Sequence, residues 1–361
     1  MKVAYILSYK YPKYVRTQYI LQLLDRMDDI TVVKAMNTST GVLRYVQTIA
    51  KLVRLRVVEK PDVYMLGFRG TELFWLVRLI TAGKPLIYDE FLNPYLWTIE
   101  EHKKFKKGSV LEKLVRFYTK YTLNAADYVL SDTYAHASYS FTNFGISSDK
   151  FTTLYVGTDE KVFTESSSKE KDNKKSFNVF FYGNFLPLHG INHIINAAEA
   201  LKDKKDIQFT IIGGANRKED MEVFLADVAK RKLNNVEHKP WVEYEELPDY
   251  IRRSDLCLGG PFAGTPQAQK VITGKAYQFL SIAKPTIIGA IDEEVGFVDK
   301  RNCLLIKQGS TDELVANILW AYENQDKLAK IGKSGQDLYK KKFSQAAQQK
   351  VLRSVLDRAV Q

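Results

Sequence analysis

The sequence predicts an α/β protein built from two doubly wound parallel sheets. The chain has 361 residues, more than one ordinary hydrophobic core needs. Short apolar runs alternate with amphipathic helical patterns in both halves, as expected of parallel sheets covered by helices. One polar segment, TESSSKEKDNKKS between Phe163 and Phe177, separates the halves and lacks a hydrophobic face. These observations predict two domains, over residues 1–165 and 176–343, joined by a linker.

Six predicted strands define the first domain. They are VAYILS, ITVVKAM, DVYMLGF, PLIYDEF, DYVLSDT and FTTLYVG, with helical patterns such as TQYILQLLDRM and TELFWLVRLITAG between them. The amino-terminal run MKVAYILSYKYP returns to charge within a few residues, which favours a first strand over a signal peptide. No run reaches the roughly 18 apolar residues that a membrane span needs.

The second domain repeats this alternation. Its predicted strands are FNVFFYG, IQFTIIGG, DLCLGG, PTIIGA and CLLIKQG. The helix STDELVANILWAYEN begins with the capping pair Ser310 and Glu313. The final segment, SQAAQQKVLRSVLDRAV, predicts a helix over 344–361 that packs back on the first domain.

Composition restricts the class of protein and its partners. A hydrophobic content of 45% excludes a disordered chain, and two distant cysteines give no disulfide framework. The net charge of +11 indicates an anionic partner or a role in solubility. Residues 44–60 and 103–120 are basic and interleaved with apolar side chains, which suits an anionic membrane surface. Core helices with a solvated basic side fit as well, whereas no nucleic-acid motif accompanies the charge.

An ordered set of motifs carries a family resemblance over nearly the whole chain. The set is YGNFLPLHGINHIINAAEAL, FTIIGG, WVEYEELPDYIRRSDLCLGG and TPQAQKVITGKAYQFLSIAKPTII, preceded by PLIYDEFLNPYLWT, AADYVLSDTYAHASY and LYVGTDEKVF. It resembles the GT-B glycosyltransferases of family 4 (glycosyl transferases group 1). The resemblance implies two Rossmann-like domains facing a central cleft. It also implies retaining, metal-independent transfer from a nucleotide sugar.

The resemblance further implies an acceptor, which is expected to be lipid-linked or a surface polysaccharide of the cell envelope and to be bound by the first domain. The two separate cysteines indicate a reducing compartment, so the protein is expected to be cytoplasmic. The basic stretches 44–60 and 103–120 predict that it lies at the inner face of the membrane. No cofactor is expected apart from the nucleotide-sugar co-substrate, because no Asp-x-Asp motif is present to bind a metal.

The loop after FNVFFYG is the first candidate for donor binding. It joins a buried strand to a helix whose amino end attracts anions. Family members commonly carry Arg and Lys here, where this chain has Asn184 and His189. His189 is expected to donate a hydrogen bond to the diphosphate, with Gly190 opening the helix. A loop-capping histidine, or a metal pair with His193, are the alternatives.

Two lysines in QAQKVITGKAYQFL are the second candidate. Lys270 and Lys275 are expected at the amino end of one helix, where an anionic partner would explain them. Two solvated surface lysines are the alternative. Gln278 stands where many members have a glutamate that contacts the ribose. The remaining expected donor-binding residues flank the strand ends: Gly183, Gly213, Gly214, Trp241, Val242 and Glu245.

Catalytic candidates follow predicted strands of the first domain. Asp89 and Glu90 end one such strand, Asp132 ends another, and His136 begins the helix after Asp132. A carboxylate or imidazole there can orient or deprotonate an acceptor hydroxyl. Capping of the following helix is the alternative role.

Two other functions remain open at this point. A GT-B sugar-nucleotide epimerase has the same fold and needs no acceptor. A non-catalytic nucleotide-sugar-binding protein would fit the departures at Asn184, His189 and Gln278. A dehydrogenase is disfavoured because SYKYPKYVRTQ, and not GxGxxG, follows the first strand.

Overall fold

The computed structural model describes residues 1–164, 176–215 and 217–361. It divides into two compact units, Met1–Val156 with Gln345–Gln361, and Gly157–Ser344. Each unit contains a six-stranded parallel sheet covered by helices, so the predicted α/β fold with two doubly wound sheets is confirmed. Most of the expected linker, residues 165–175, lies outside the described residues.

The first unit alternates strands and helices and recruits the last helix of the chain. Its strands are β1 (Lys2–Leu7), β2 (Thr31–Met36), β3 (Val63–Leu66), β4 (Leu86–Asp89), β5 (Tyr128–Ser131) and β6 (Phe151–Thr153). Its helices are α1 (Val15–Asp25), α2 (Leu43–Arg54), α3 (Phe74–Ile80), α4 (Val110–Ala125) and α5 (Tyr134–Phe144). All neighbouring strands pair in parallel, in the order β2-β1-β3-β4-β5-β6.

The two faces of this sheet are covered by different helices. Alternate residues of β1 point to opposite faces, as the period of a strand requires. Tyr5 packs with α1 on one side, and Ile6 packs with α2, α3 and α4 on the other. Because both faces are buried, the strands are apolar along nearly their whole length.

The C-terminal helix α12 (Gln345–Val360) packs against α1. Its apolar stripe, Leu352, Val355 and Leu356, is fully buried. Polar contacts flank the stripe: Gln345 Nε2 donates to Gln22 Oε1 at 2.8 Å, and Arg353 pairs with Asp29 at 2.6 Å.

The second unit contains the other six strands. They are β7 (Phe177–Tyr182), β8 (Ile207–Ile212), β9 (Val236–Lys239), β10 (Leu256–Leu258), β11 (Thr286–Gly289) and β12 (Leu304–Ile306). The helices are α6 (Ile191–Ala200), α7 (Lys218–Lys230), α8 (Leu247–Arg253), α9 (Gly274–Ser281), α10 (Thr311–Glu323) and α11 (Gln325–Leu338). The sheet order is β12-β11-β10-β7-β8-β9.

Two local features refine the sequence analysis of this unit. Ser310 caps α10, since its Oγ accepts from the Glu313 amide at 3.2 Å. The Glu313 carboxylate accepts from the Lys307 amide at 2.6 Å, so it satisfies a donor of the preceding loop. Strand β9 was not expected, because its sequence VEHK has one apolar residue and no alternation to detect.

The boundary between the units falls earlier than the sequence analysis placed it. Residues 157–164 belong with the second unit, whereas the expected first domain extended to residue 165. The physical reason is Phe163, which is 2% exposed and packs in one apolar cluster with Phe180 and Tyr244. An aromatic side chain buried in a core belongs to the unit that buries it.

Candidate functional site

The strand order of the second unit marks one edge as a ligand site. From β7 the chain continues to β8 and β9 on one side, and β10, β11 and β12 lie on the other. The order therefore reverses between β7 and β10. In open α/β sheets the crevice beyond the strand ends at such a reversal binds ligands. Gly183 follows β7 at this edge, and α9 follows β10.

Gly183 lies in direct contact with two of the expected donor-binding side chains. Its φ is +134°, which an L side chain rarely adopts. A Cβ on Gly183 would lie 3.3 Å from Lys275 Cε and 3.8 Å from His189 Cε1. On the next loop, a Cβ on Gly213 would lie 2.3 Å from the Gly183 carbonyl oxygen. The structure thus brings Gly183, Gly213, His189 and Lys275 together, and the glycines allow the loops to approach.

Lys275 is a buried cation in the first turn of α9. It is 5% exposed, and its Nζ lies 5.0 Å from the centre of the Phe181 ring. Among the described residues, no carboxylate lies within salt-bridge distance of this Nζ. Burial lowers the pKa of Lys275 to about 7, because the charged form loses its hydration. A bound anion would supply the missing counter-charge.

His189 has a different role from the one expected. Its Nδ1 donates to the Asn184 carbonyl at 2.5 Å, a direction set by the carbonyl, which can only accept. Burial and the charge of Lys275 lower the pKa of His189 to about 3. The imidazole is therefore neutral, and its other nitrogen, Nε2, is an acceptor. The expected hydrogen bond from His189 to a diphosphate is not available in this state; His189 fixes the loop at Asn184.

Lys270 is not on the helix where the sequence analysis placed it. It ends a short helical turn, Ala268–Lys270, and α9 begins only at Gly274. The break occurs because Val271 takes an extended backbone conformation, with φ −130° and ψ 147°. Lys270 Nζ also pairs with Asp292 at 2.7 Å, so its charge is already countered in part.

The other expected donor-binding residues differ in exposure. Gln278 is 5% exposed, its Nε2 lies 3.5 Å from the Tyr244 hydroxyl, and its Oε1 has no hydrogen-bond partner among the described residues. Trp241 is 72% exposed and Glu245 is exposed, while Val242 packs with the core near Tyr244.

Two further glycines of this edge differ in how strictly the packing requires them. A Cβ on Gly190, where φ is +65°, would lie 2.7 Å from the Ala263 amide nitrogen. A Cβ on Gly214 would lie 2.8 Å from Met221 Sδ. Gly190 therefore allows the start of α6 to pack directly on the loop that contains Ala263. At Gly214 a larger residue would meet mainly the flexible Met221 side chain, which can move.

In the first unit, Asp89 is engaged in a buried ion pair. Arg16 Nη2 donates to Asp89 Oδ1 at 2.8 Å and Arg16 Nε donates to Oδ2 at 3.3 Å, while Nη1 donates to the Leu154 carbonyl at 2.7 Å. Both side chains are fully buried. Because both carboxylate oxygens accept from the guanidinium, Asp89 is not available as the base that the sequence analysis expected.

Asp132 and His136 do come together. Asp132 Oδ1 accepts from His136 Nδ1 at 2.7 Å, and Nε2 of the same ring has no hydrogen-bond partner among the described residues. Burial opposes the charge on His136, but Asp132, Glu90 and Asp89 outweigh it and raise its pKa. The ring is 2% exposed and its Nε2 is buried. An imidazole oriented by a carboxylate, with its second nitrogen not hydrogen-bonded, is the arrangement of a general base.

Sequence reasoning missed the partners that define these sites. Arg16 was not singled out, because an arginine in an amphipathic helix gives no sign that it is buried. Phe181 was read only as a strand residue, although it lies against Lys275. Glu90, a strand-end candidate like Asp89, is also engaged: its Oε1 accepts from Asn93 at 2.7 Å and from Ser140 at 2.8 Å, and its charge helps to raise the pKa of His136.

No group of three or more His, Cys, Asp or Glu side chains in the described residues has an arrangement suited to a metal ion. In the same residues no helix combines the length and the apolar character needed to cross a bilayer.

Comparison with known proteins finds a family model that resembles the second unit. Residues 162–338 match the model described as glycosyl transferases group 1. The chain is also 26% identical over 294 residues to the uncharacterized glycosyltransferase MJ1069 of Methanocaldococcus jannaschii, covering 80% of this chain and 71% of that protein. Together the two matches support a glycosyltransferase.

Solved structures share the fold of the whole chain. HepE of Anabaena, crystallised with UDP-glucose, superposes with a TM-score of 0.77 at 16% identity, covering 99% of this chain and 100% of that one. Sucrose-phosphate synthase from Thermosynechococcus elongatus superposes with a TM-score of 0.77 at 14% identity, covering 99% and 98%. These similarities show the GT-B fold.

Proposed function

We propose that this protein is a retaining, metal-independent glycosyltransferase of family 4. It transfers a sugar from a nucleotide-sugar donor to a lipid-linked or surface-polysaccharide acceptor of the cell envelope. The donor's diphosphate binds in the second unit, at the edge formed by Gly183, the start of α6 and Lys275. The similarity to HepE, which was crystallised with UDP and with UDP-glucose, supports a nucleotide-sugar donor.

The buried Lys275 is the observation that carries this proposal. A buried ammonium without a counter-ion lowers stability, and its pKa of about 7 reflects that cost. Its placement in the first turn of α9 adds to the cost, because a helix amino end disfavours a cation. A diphosphate would offset both effects, since it would contact the ammonium and the amide groups of the same turn.

The same site suits the charge that develops during transfer. As the bond between the sugar's anomeric carbon and the distal phosphate oxygen breaks, that phosphate gains negative charge, while the anomeric carbon bonds to the acceptor oxygen. A cation already fixed at the phosphate stabilises this transition state more than the bound donor. Lys275 thus supplies charge that a metal supplies in other transferases, which motivates metal independence.

The acceptor hydroxyl loses its proton in this reaction. We assign acceptance of that proton to His136 Nε2 in the first unit, with Asp132 accepting from Nδ1 at 2.7 Å and stabilising the imidazolium. Nε2 is buried in this structure, so this role requires that acceptor binding exposes it. Asp89 is left out of this role because Arg16 occupies its carboxylate.

A panel of nucleotide sugars tests the proposal. Purified protein should hydrolyse or transfer sugar from at least one UDP, GDP or ADP donor, in the presence of EDTA, and NMR of the glycoside should show the donor's anomeric configuration. Binding of none of these donors contradicts the proposal. Interconversion of the donor without acceptor would instead identify an epimerase, and tight binding without any turnover would identify a binding protein.

We also propose that the protein works at the inner face of the membrane, as a lipid-linked acceptor requires. This proposal is supported by the basic and apolar residues on the surface of the first unit, in residues 44–60 and 103–120.

A further inference from the structure

Three helices form the layer that covers one face of the first unit's sheet. The inner sides of α2, α3 and α4 pack in one core cluster with β1, through residues such as Leu52, Val77 and Leu123. Helix α3 contacts both α2 and α4, so the three helices are neighbours. Their outer sides therefore form one continuous surface, which we call the basic–apolar face.

Large apolar side chains project from this face into solvent. Phe117 on α4 is 70% exposed, Leu79 on α3 is 66% exposed, and Val46 on α2 is 62% exposed. Trp75, one helical turn before Leu79, is 53% exposed. Single exposed apolar residues are ordinary, but a set spread over three adjoining helices marks an interaction surface.

Cations are interleaved with these apolar residues. Residues 43–60 contain five Lys or Arg and one Glu, and residues 103–120 contain seven Lys or Arg and one Glu, Glu112. Glu112 is only 7% exposed and accepts from the Tyr95 hydroxyl, so it does not offset the surface charge. On α4 itself, Lys113, Phe117 and Lys120 follow at spacings of four and three, which puts them on one side of the helix.

We propose that the basic–apolar face binds the surface of a bilayer that contains anionic lipids. The apolar side chains would enter the boundary between headgroups and acyl chains, while the long lysine side chains reach the lipid phosphates. This inference deepens the proposed function, because it names the surface that would hold the enzyme beside a lipid-linked acceptor. Vesicle binding itself does not require turnover.

The charge argues against a second copy of this chain as the occupant. A two-fold dimer brings the same surface of both copies together. That arrangement would place the cations of α4 opposite the cations of another α4, and the repulsion between like charges would weaken the dimer. An anionic bilayer provides both the opposite charge and an apolar layer.

Vesicle sedimentation tests the proposal on the full chain. We expect binding to vesicles of phosphatidylcholine with phosphatidylglycerol, weak binding to phosphatidylcholine alone, and release at high salt. Lys113→Glu/Lys120→Glu should lower partitioning at least about 25-fold, since each lysine near an anionic surface contributes about fivefold. Lys218→Glu is the matched control, because this α7 lysine has a side chain that is 85% exposed and lies in the second unit.

The apolar contribution is tested separately. Leu79→Ser/Phe117→Ser should also weaken binding, whereas Val223→Ser on α7, where the side chain is 69% exposed, should not. Lipids brominated near the headgroup should quench tryptophan fluorescence in the wild type. Trp75→Phe should keep the affinity and lose most of that quenching. Unchanged quenching in Trp75→Phe would overturn the orientation that we propose.

Several outcomes overturn the proposal as a whole. These are equal binding to both kinds of vesicle, no binding to either, or a dimer in solution that Leu79→Ser/Phe117→Ser dissociates. Failure here is distinguishable from failure of the proposed function. Lys275→Met should sediment with vesicles like the wild type while losing turnover, and Lys113→Glu/Lys120→Glu should keep wild-type hydrolysis of a soluble donor.

Discussion

Each unit has a buried cation near its strand ends, Arg16 in the first unit and Lys275 in the second. The two cations differ in whether a carboxylate pairs with them. In the first unit, Arg16 donates to both oxygens of Asp89 and to the Leu154 carbonyl. In the second, Lys275 lies against the Phe181 ring with no carboxylate within salt-bridge distance in the described part of the chain. The first site is electrostatically complete, whereas the second lacks an anion.

This difference separates a structural charge from a functional one. A buried pair with satisfied hydrogen bonds holds elements in place, and removal of one partner leaves an uncompensated charge. A buried cation with no partner lowers stability and is explained by a ligand that completes it. The comparison assigns Arg16 and Asp89 to the fold and supports the proposed role of Lys275 in binding, and both roles have measurable consequences.

The largest effect is expected from breaking the complete site. Asp89→Ala should lower the free energy of unfolding by about 3–5 kcal/mol, because Arg16 would remain buried and charged. Urea denaturation measures this loss. The double variant Arg16→Leu/Asp89→Leu removes both charges and should recover much of it. A midpoint for Asp89→Ala equal to that of the wild type would contradict a structural role for the pair.

The next largest effect is a loss of turnover on removal of Lys275, in contrast to the loss of stability expected for Asp89→Ala. Lys275→Met should lower turnover at saturating donor about a hundredfold, the usual loss when one transition-state donor is removed. The fold should be retained or stabilised, because Met removes a buried charge and keeps the side-chain length. Lys107→Met, at an exposed residue of the first unit, is the control for soluble-donor turnover. Wild-type turnover in Lys275→Met would return Lys275 to a purely structural role.

The pH dependence of donor binding follows from the same lysine. Its pKa is about 7 in the free protein, and a bound diphosphate raises it, so binding takes up a proton above pH 7. Donor affinity should therefore fall as the pH rises from 7 to 9. Titration calorimetry in two buffers of different ionisation enthalpy measures the uptake. Lys275→Met should abolish it, and equal heats in both buffers for the wild type would contradict the assignment.

Stability depends on pH with a defined sign as well. The pKa of Lys275 in the folded protein lies below its unfolded value of about 10.4. The destabilisation from this group is therefore full below pH 7 and diminishes as the pH rises toward 10. The difference in unfolding free energy between Lys275→Met and the wild type should shrink over that window.

The sequence predicts the elements of this protein better than it predicts the partners of its charged groups. Apolar strands such as FNVFFYG are visible because burial on both faces demands a continuous apolar run. The spacing of Lys270 and Lys275 suggested one helix, yet an extended Val271 separates them and Asp292 pairs with Lys270. Whether a charge has a partner depends on contacts between distant residues, which no local pattern encodes.

The same limit applies to His189. Its position after a strand indicated an anion site, and the structure does place it beside Gly183 and Lys275. Its pKa, however, is lowered first by burial and then by the charge of Lys275, a residue far along the chain. Residue type and spacing predicted that His189 lies near the anion site. The hydrogen bond from His189 to the Asn184 carbonyl depends on how the loop folds, which spacing does not specify.

The smallest effect is expected at His189, and it tests the role that the geometry gives to this ring. His189→Ala removes one hydrogen bond, to the Asn184 carbonyl, whose loss costs about 0.5–1.5 kcal/mol, or less than about tenfold in donor affinity. The one N–H of the neutral ring is already donated to the Asn184 carbonyl, so turnover at saturating donor should change less than in Lys275→Met. Steady-state kinetics with KM and kcat reported separately measures this split. A loss in kcat as large as that of Lys275→Met would mean that His189 is protonated in the transition state, which its pKa of about 3 in the free protein argues against.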